Sequence, residues 1–536
     1  MERDASGRVI ADIQRGRPIR YEYDRSSRRA TRTLPDGGAT RYFYDAAGGL
    51  TAIEHQGYRV ALQHDAAGRE IRRHVYGAAI DICRAIDPGA RWLDQWVTSR
   101  PDAAREPTHL ARRRYTYDPG QRPLECVDGR WGREAYAYDP AGHLLGVEGK
   151  NAVRFDYDAS GALVGMHPAV APATSTWKTR AGNVLVRSAE ASFTYDDARR
   201  RRRKIPDRGK PTEYQWDARS RLREVRLPSG TRVLFWYDAF GRRVRKLVAP
   251  AGPSIEELAT GAAPPVARVV DYLWDGQVLA AELDSVRGAR VFIHHPTTGV
   301  PLCQIEDGEA YTYVTDPMGV PRELIDTRGR IAWAGSISPF GLVRDVYRDP
   351  GTAEISPPFR QLGHYADEDT GLLYTLFRWF DPETARWLSI DPLLLLAGGN
   401  LFGLEASPTF TVDVLGLGTG FPVGVYSDSM PRLEKHEPLQ ATWGAGRFLG
   451  PRGTWPFQSE NPVIGLGVGR HDDVHEGADD IFKARHGIAP EDISTLSAQQ
   501  VLKAQEEAML AAGVPKDKVD AVIAAAKKHA PKFICK

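Results

Sequence analysis

Residues 134–143 read EAYAYDPAGH, and this decapeptide decides the fold. Tyr136 and Tyr138 alternate with Ala137, which sets both aromatics on one face of a strand, because side chains alternate with period two. The Asp139-x-x-Gly142 that follows supplies turn chemistry: the aspartate caps its own turn and the glycine takes the positive φ that closes a hairpin. A return strand completes a unit of about twenty residues. Such a unit cannot bury its aromatic face alone, so neighbours must stack or wrap.

The same unit recurs along the chain. RYEYDRS, RYFYDAAG and a degraded VALQHDAAGR carry it at Asp24, Asp45 and Asp65. RRYTYDPG and VRFDYDASG carry it at Asp118 and Asp158, on either side of Asp139. ASFTYDDA, EYQWDARSR and VLFWYDAFGRR place it at Asp196, Asp217 and Asp238, and Asp4 extends it towards the N-terminus. Stretches 76–110 and 250–267 interrupt the period and read as insertions or long loops. The basic run Arg199 to Lys204 follows one such turn and reads as a solvated or ion-paired hairpin rather than a nucleic-acid patch.

After the repeats, residues 377–417 read FRWFDPETARWLSIDPLLLLAGGNLFGLEASPTFTVDVLGL. This segment resembles the RHS-associated core, whose pattern is roughly RYYDPxxGRFLSxDP, then NLYxYxxNP, then DPxGL. Arg378, Asp381, Pro382, Arg386, Leu388, Ser389, Asp391, Pro392, Asn400, Leu401, Pro408, Asp413, Gly416 and Leu417 fit it. Val414 stands where the pattern has a proline, and Ser407 where it has asparagine. The hairpin units in turn resemble the YD repeats of the same family. The resemblance implies a mainly β fold: a sheet of YD-repeat hairpins wrapping as an RHS cocoon shell, followed by a smaller α+β, helix-ended C-terminal domain. It divides the chain into a repeat shell (1–330), an RHS-associated core with an autocleavage site (331–417) and a variable C-terminal toxin domain (418–536).

The resemblance also implies chemistry. Cleavage falls between Leu417 and Gly418, by aspartyl autoproteolysis, with Asp391 and Asp413 as the matching pair. Two carboxylates at close range share a proton and activate a water. Valine at 414 restores an N–H and frees φ, so a slower cut is expected there. The alternative for both aspartates is the capping of turns.

Bulk properties narrow the rest. The net charge is +2, and the segment after Leu417 holds 14 basic and 15 acidic residues, so neither chain nor tail binds nucleic acid or membrane by bulk charge. Cys83, Cys126, Cys303 and Cys535 lie far apart with no CxxC spacing, unlike a disulfide framework. The opening MERDASGRVIADIQRGRP has no apolar core, and LLLLAGG is too short for a bilayer; no secretory signal and no membrane span are expected. Met1 lies within a repeat and no PAAR-like tip precedes it, which leaves the route of export unassigned.

In the tail, residues 418–469 are rich in Gly and Pro, and Gly465, Gly467 and Gly469 match a phosphate-binding loop only superficially, a strand end being the better reading. Helices are expected from Arg470 to Gly487, from Ser497 to Ala512 and from Pro515 to about His529. His471, His475 and Asp479 recur every four residues on one helical face, a set that suits acid–base work or a divalent metal; the alternative is a solvated helix face. These residues match none of the HExxH, HNH, deaminase or barnase-like patterns.

The expected function is a contact-delivered polymorphic toxin whose shell encloses and releases a nuclease-like tail acting on nucleic acid. Its expected partners are a cognate immunity protein and a secretion machinery or chaperone. It is expected in the cytoplasm before export by a dedicated system, and then in a target cell. The alternatives are an ADP-ribosyltransferase tail, with Glu506 or Glu507 as its acid, and a non-enzymatic repeat shell or adhesion protein.

Overall fold

In the computed structural model each Asp-x-x-Gly segment is a hairpin turn flanked by antiparallel strands. The structure describes residues 1–100, 106–169, 177–180, 182–251, 267–392, 400–404, 407–411, 413–417, 433–436 and 464–467, with helical positions at 503, 506, 507, 509, 510, 516, 519 and 520. Two sixteen-stranded sheets dominate, running from Glu2–Arg3 to Leu163–Pro168 and from Lys178–Arg180 to Val343–Tyr347, each strand pairing with its sequence neighbours. The second sheet therefore runs through position 330 without a break. A four-stranded sheet follows, made of Tyr365–Asp367, Leu372–Tyr374, Trp379–Asp381 and Arg386–Trp387. Residues 1–392 and 399–429 form one compact unit, and residues 393–398 and 430–536 a second.

One repeat shows why the sequence folds this way. Asp217 accepts the Arg219 and Arg221 amides on Oδ1, both at 2.9 Å, and the Arg221 Nε on Oδ2 at 2.8 Å. Arg221 then reaches forward, donating Nη1 to the carbonyl of Asp238 in the next turn at 3.1 Å, and lies over the Tyr237 ring. Tyr237 reaches back, its hydroxyl donating to the Leu222 carbonyl at 2.7 Å. Arg28, Arg69 and Arg200 make the same forward bond to Asp45, Asp87 and Asp217. Tyr23, Tyr44, Tyr117, Tyr138 and Tyr195 make the same kind of backward bond. The repeated Tyr-Asp…Arg set thus staples each turn to its neighbour along the rim of the sheet.

The two aromatics of a unit pack against the same core, as the alternation expects, but not always to the same depth. The register shifts by a bulge just before the second aromatic, between Ala137 and Tyr138, Thr194 and Tyr195, and Trp236 and Tyr237. Such a bulge re-aims the residue after it. Phe193 and Phe235 are buried, while Tyr136, Tyr138, Tyr195 and Tyr237 are half-buried against that core.

The sheets meet face to face. Ile53, Val60, Ile80 and Ile82 of the first pack with Ile293, Leu302, Val314 and Ile325 of the second. Burying such side chains contributes about 1.5–3 kcal/mol each. Buried polar links fix the pairing: Gln95 donates to the Thr315 carbonyl at 2.9 Å, Arg242 pairs with Asp12 at 2.8 Å, and Arg113 pairs with Glu323.

The small sheet is wedged into this shell. Trp379 and Leu388 belong to the core around Phe235, and Phe380 and Trp387 to that around Phe155 and Phe193. Arg201 and Lys204, from the basic run, pair with Asp381 and Glu383 of the small sheet. Arg386 donates to the Leu163 carbonyl and to the carbonyl and Oδ1 of Asn183, and so fastens the last strand of the first sheet to the start of the second.

In the second unit, Leu433–His436 pairs antiparallel with Ile464–Gly467, so Gly465 and Gly467 are strand residues rather than a phosphate loop. Positions 503–510 and 516–520 include helical residues, among them Met509 and Val519, both buried. No helix among the described residues is long and apolar enough to cross a membrane.

Candidate active site

Arg378 closes a tight turn of the small sheet. Its amide and carbonyl both bond Thr375, the carbonyl accepting from the Thr375 amide and hydroxyl at 2.9 Å each. Its guanidinium lies 4.1 Å over the Trp387 ring, which fixes the direction of the side chain.

The two aspartates expected from the motif meet on that guanidinium. Nη2 of Arg378 is 2.6 Å from Oδ2 of Asp391 and 3.1 Å from Oδ2 of Asp413. Sharing one nitrogen holds the carboxylates within about 6 Å of each other, the range in which charges on neighbouring groups interact strongly. All three residues are at most 3% exposed. Asp391 is held by its amide, which donates to the Leu401 carbonyl at 3.2 Å.

Residues 413–417 fold over the pair. Oδ1 of Asp413 accepts the Gly416 amide at 2.8 Å and the Leu417 amide at 2.9 Å. The Gly416 carbonyl accepts Nε of Arg378, and the Leu415 carbonyl accepts the Phe377 amide at 3.1 Å. Gly416 has φ +76°, and a β-carbon there would collide with the Thr375 hydroxyl, so only glycine fits. Leu417, the expected cleavage residue, is thereby tied to the aspartate pair through its own amide.

A histidine that the motif does not mark completes the site. His364 is fully buried, and its Nε2 lies 2.9 Å from the Asp413 carbonyl. Burial lowers its pKa and the Arg378 charge adds to that, while the bond to the Asp413 carbonyl acts the other way; the net direction is down.

Other expected residues fall elsewhere. Gly418, His471, His475 and Asp479 lie outside the described residues, and with them the expected divalent-metal set. Glu506 and Glu507 sit at helical, half-buried positions. Among the described residues no group of three or more His, Cys, Asp and Glu side chains is arranged to hold a metal ion. A cavity of about 470 Å³ beside Tyr115, Tyr136 and Met318 is bordered by Pro408, Thr409 and Phe410, just ahead of the site.

Residues 311–347 match the family model described as RHS protein. The chain is 26% identical to double-stranded DNA deaminase toxin A of Burkholderia cenocepacia, over 81% of this chain and 31% of that protein. It is 28% identical to a probable deoxyribonuclease, RhsA, of Dickeya dadantii, over 78% of this chain and 29% of that protein. The chain thus spans less than a third of the length of these relatives. The crystal structure of TcdB2-TccC3 superposes with a TM-score of 0.57 at 18% identity, over 75% of this chain and 22% of that one, a likeness of fold. Stapled Tyr-Asp turns, the core motif folded around Arg378 and the relatives converge on one likeness: the chain is similar to RHS-repeat proteins.

Proposed function

We propose that this chain is the shell and self-cleaving core of a polymorphic toxin, and that it cuts itself between Leu417 and Gly418. The observation that carries the reading is the pair Asp391 and Asp413 on one buried guanidinium, with the Leu417 amide bonded to Asp413. Two carboxylates against one guanidinium leave a single negative charge over, which one proton neutralises; an acid and a base then coexist out of water. One carboxylate takes a proton from water as its oxygen adds to the Leu417 carbonyl carbon. The carbon–nitrogen bond then breaks, and the other carboxyl gives its proton to the departing Gly418 amine. Only water is consumed.

The released segment from 418 onward is proposed to act on nucleic acid in a target cell, with His471, His475 and Asp479 as its centre. The names of the two relatives, a DNA deaminase toxin and a deoxyribonuclease, support that substrate class. An immunity protein for the producing cell and a dedicated secretion route follow from the same reading.

A second reading has its own support: Asp413 capping the Gly416 and Leu417 amides is also a good structural clasp. The purified chain separates the two. Self-cleavage yields a fragment whose N-terminal sequence begins at Gly418, and Asp391→Asn or Asp413→Asn leaves the folded chain whole. A parent that stays intact, or variants cut as fast as the parent, would return the aspartates to clasping. Expression of residues 418–536 in bacteria, with and without His475→Ala and Asp479→Ala, tests the tail: killing by the parent tail that the folded variants lose is the expected result.

A further inference from the structure

We infer that His364 is a positioning residue for the cut, a neutral imidazole that sets the angle at which Asp413 faces Arg378 and Leu417. This rests on the self-cleavage reading above. A carbonyl oxygen only accepts, so the nitrogen 2.9 Å from the Asp413 carbonyl carries the proton, and Nδ1 is left with its lone pair. Nδ1 is buried and has no hydrogen-bond partner. The ring packs against Phe380 and Trp387, with centroids 6.1 and 5.8 Å away, and the Arg378 cation lies over that same Trp387. A second proton on this ring has no acceptor and a positive neighbour, so one tautomer, Nε2–H, is built into the site.

The turn that carries His364 also packs against the next peptide. The His364 amide donates to the Gln361 carbonyl at 2.9 Å, and Gln361 is anchored through its side-chain amide to the Pro339 carbonyl at 2.6 Å. Gly363, at φ +79°, lies so close to Val414 that a β-carbon there would collide with the Val414 carbonyl. With Gly363 packed against the carbonyl of the next peptide, the Asp413–Val414 peptide is held at its own carbonyl by His364. Its orientation fixes the backbone angle of Asp413, and with it the direction of the carboxylate whose Oδ1 holds Leu417 and whose Oδ2 meets Arg378. The imidazole's hydrogen bond goes to the Asp413 carbonyl, so it acts through Asp413.

The test is a cleavage time course of the freshly translated full chain, with melting temperature read alongside on cleavage-blocked Asp391→Asn backgrounds. His364→Leu keeps the apolar contacts and removes the donor. It is expected to slow cleavage by about 10- to 100-fold, the loss typical of a misplaced catalytic group. His364→Gln puts an amide N–H near the Nε2 position and is expected to recover cleavage to within a few-fold of the parent. His364→Asn, whose shorter amide sits where Nδ1 was, is expected to stay slow, and it stands in if the leucine variant does not fold. Cleavage of the leucine and asparagine variants at the parent rate overturns the proposal, as does a folded glutamine variant as slow as leucine. Failure of the underlying reading looks different: the parent itself then stays whole.

Discussion

Asp217 and Asp413 make the same bonds in two regions of the molecule. Each accepts two backbone amides on Oδ1 and an arginine on Oδ2. They differ in surroundings. The Asp217 side chain is 20% exposed and its arginine serves it alone among carboxylates, whereas Asp413 is 3% exposed and shares its arginine with Asp391. Local geometry therefore does not separate a structural turn from a candidate reaction centre. Burial and a shared cation do, because both raise the electrostatic stakes of every proton in the cluster.

The largest expected effect comes from removing that cation. Arg378→Leu leaves two buried carboxylates without their counter-charge, at a cost of about 3–5 kcal/mol, and abolishes the cut. Arg221→Leu, the equivalent change at a repeat turn, is expected to cost no more than about 1 kcal/mol, since exposed ion pairs contribute little. Chemical denaturation of both variants gives the comparison directly. Equal losses would mean that the two aspartates are held alike and that the distinction drawn from burial is wrong.

An intermediate effect is expected from acid. Burial lowers the pKa of His364, and it also takes His55 down to about 4 and His294 to about 3. Each then binds its proton more readily in the unfolded chain, where the ordinary value near 6.5 applies. Stability is full above pH 6.5 and falls as pH drops towards the folded values. The midpoint of unfolding should decline between pH 6.5 and 4, and His294→Gln should flatten that slope if the variant folds. A melting temperature that is level across this interval would mean that these rings take protons in place.

The same contrast marks what was legible beforehand. The hairpins were readable because period-two aromatics and Asp-x-x-Gly turns are local signals. The arginine four residues after Asp24, Asp65, Asp118, Asp196, Asp217 and Asp238 is also local and periodic, but its reach into the next turn is not. The bulge before each second aromatic leaves no mark in the alternation. At the core, Asp391 and Asp413 were identifiable from a motif, and Arg378 stood in that motif without a role. His364 had no signal: it meets Asp413 across 49 residues of chain, through a backbone carbonyl, which no side-chain spacing reveals.

The smallest expected effect concerns the staples themselves. Tyr237→Phe removes one half-buried hydroxyl that donates to the Leu222 carbonyl at 2.7 Å and keeps the ring beneath Arg221. A single bond of this kind contributes about 0.5–1.5 kcal/mol. Because Tyr237 also accepts from the Trp379 indole at 3.1 Å, it differs from Tyr23 and Tyr44, whose staples touch only the repeat rim. Losing the hydroxyl at 237 leaves a buried indole N–H without its acceptor, whereas Tyr44→Phe leaves only the Arg29 carbonyl without its donor. The 237 variant should therefore lie at the upper end of that range and the 44 variant at the lower, as read by paired urea titrations. If Tyr44→Phe proves the costlier of the two, the staples stabilise the shell collectively along its rim, and the join to the small sheet is not where their strength is concentrated.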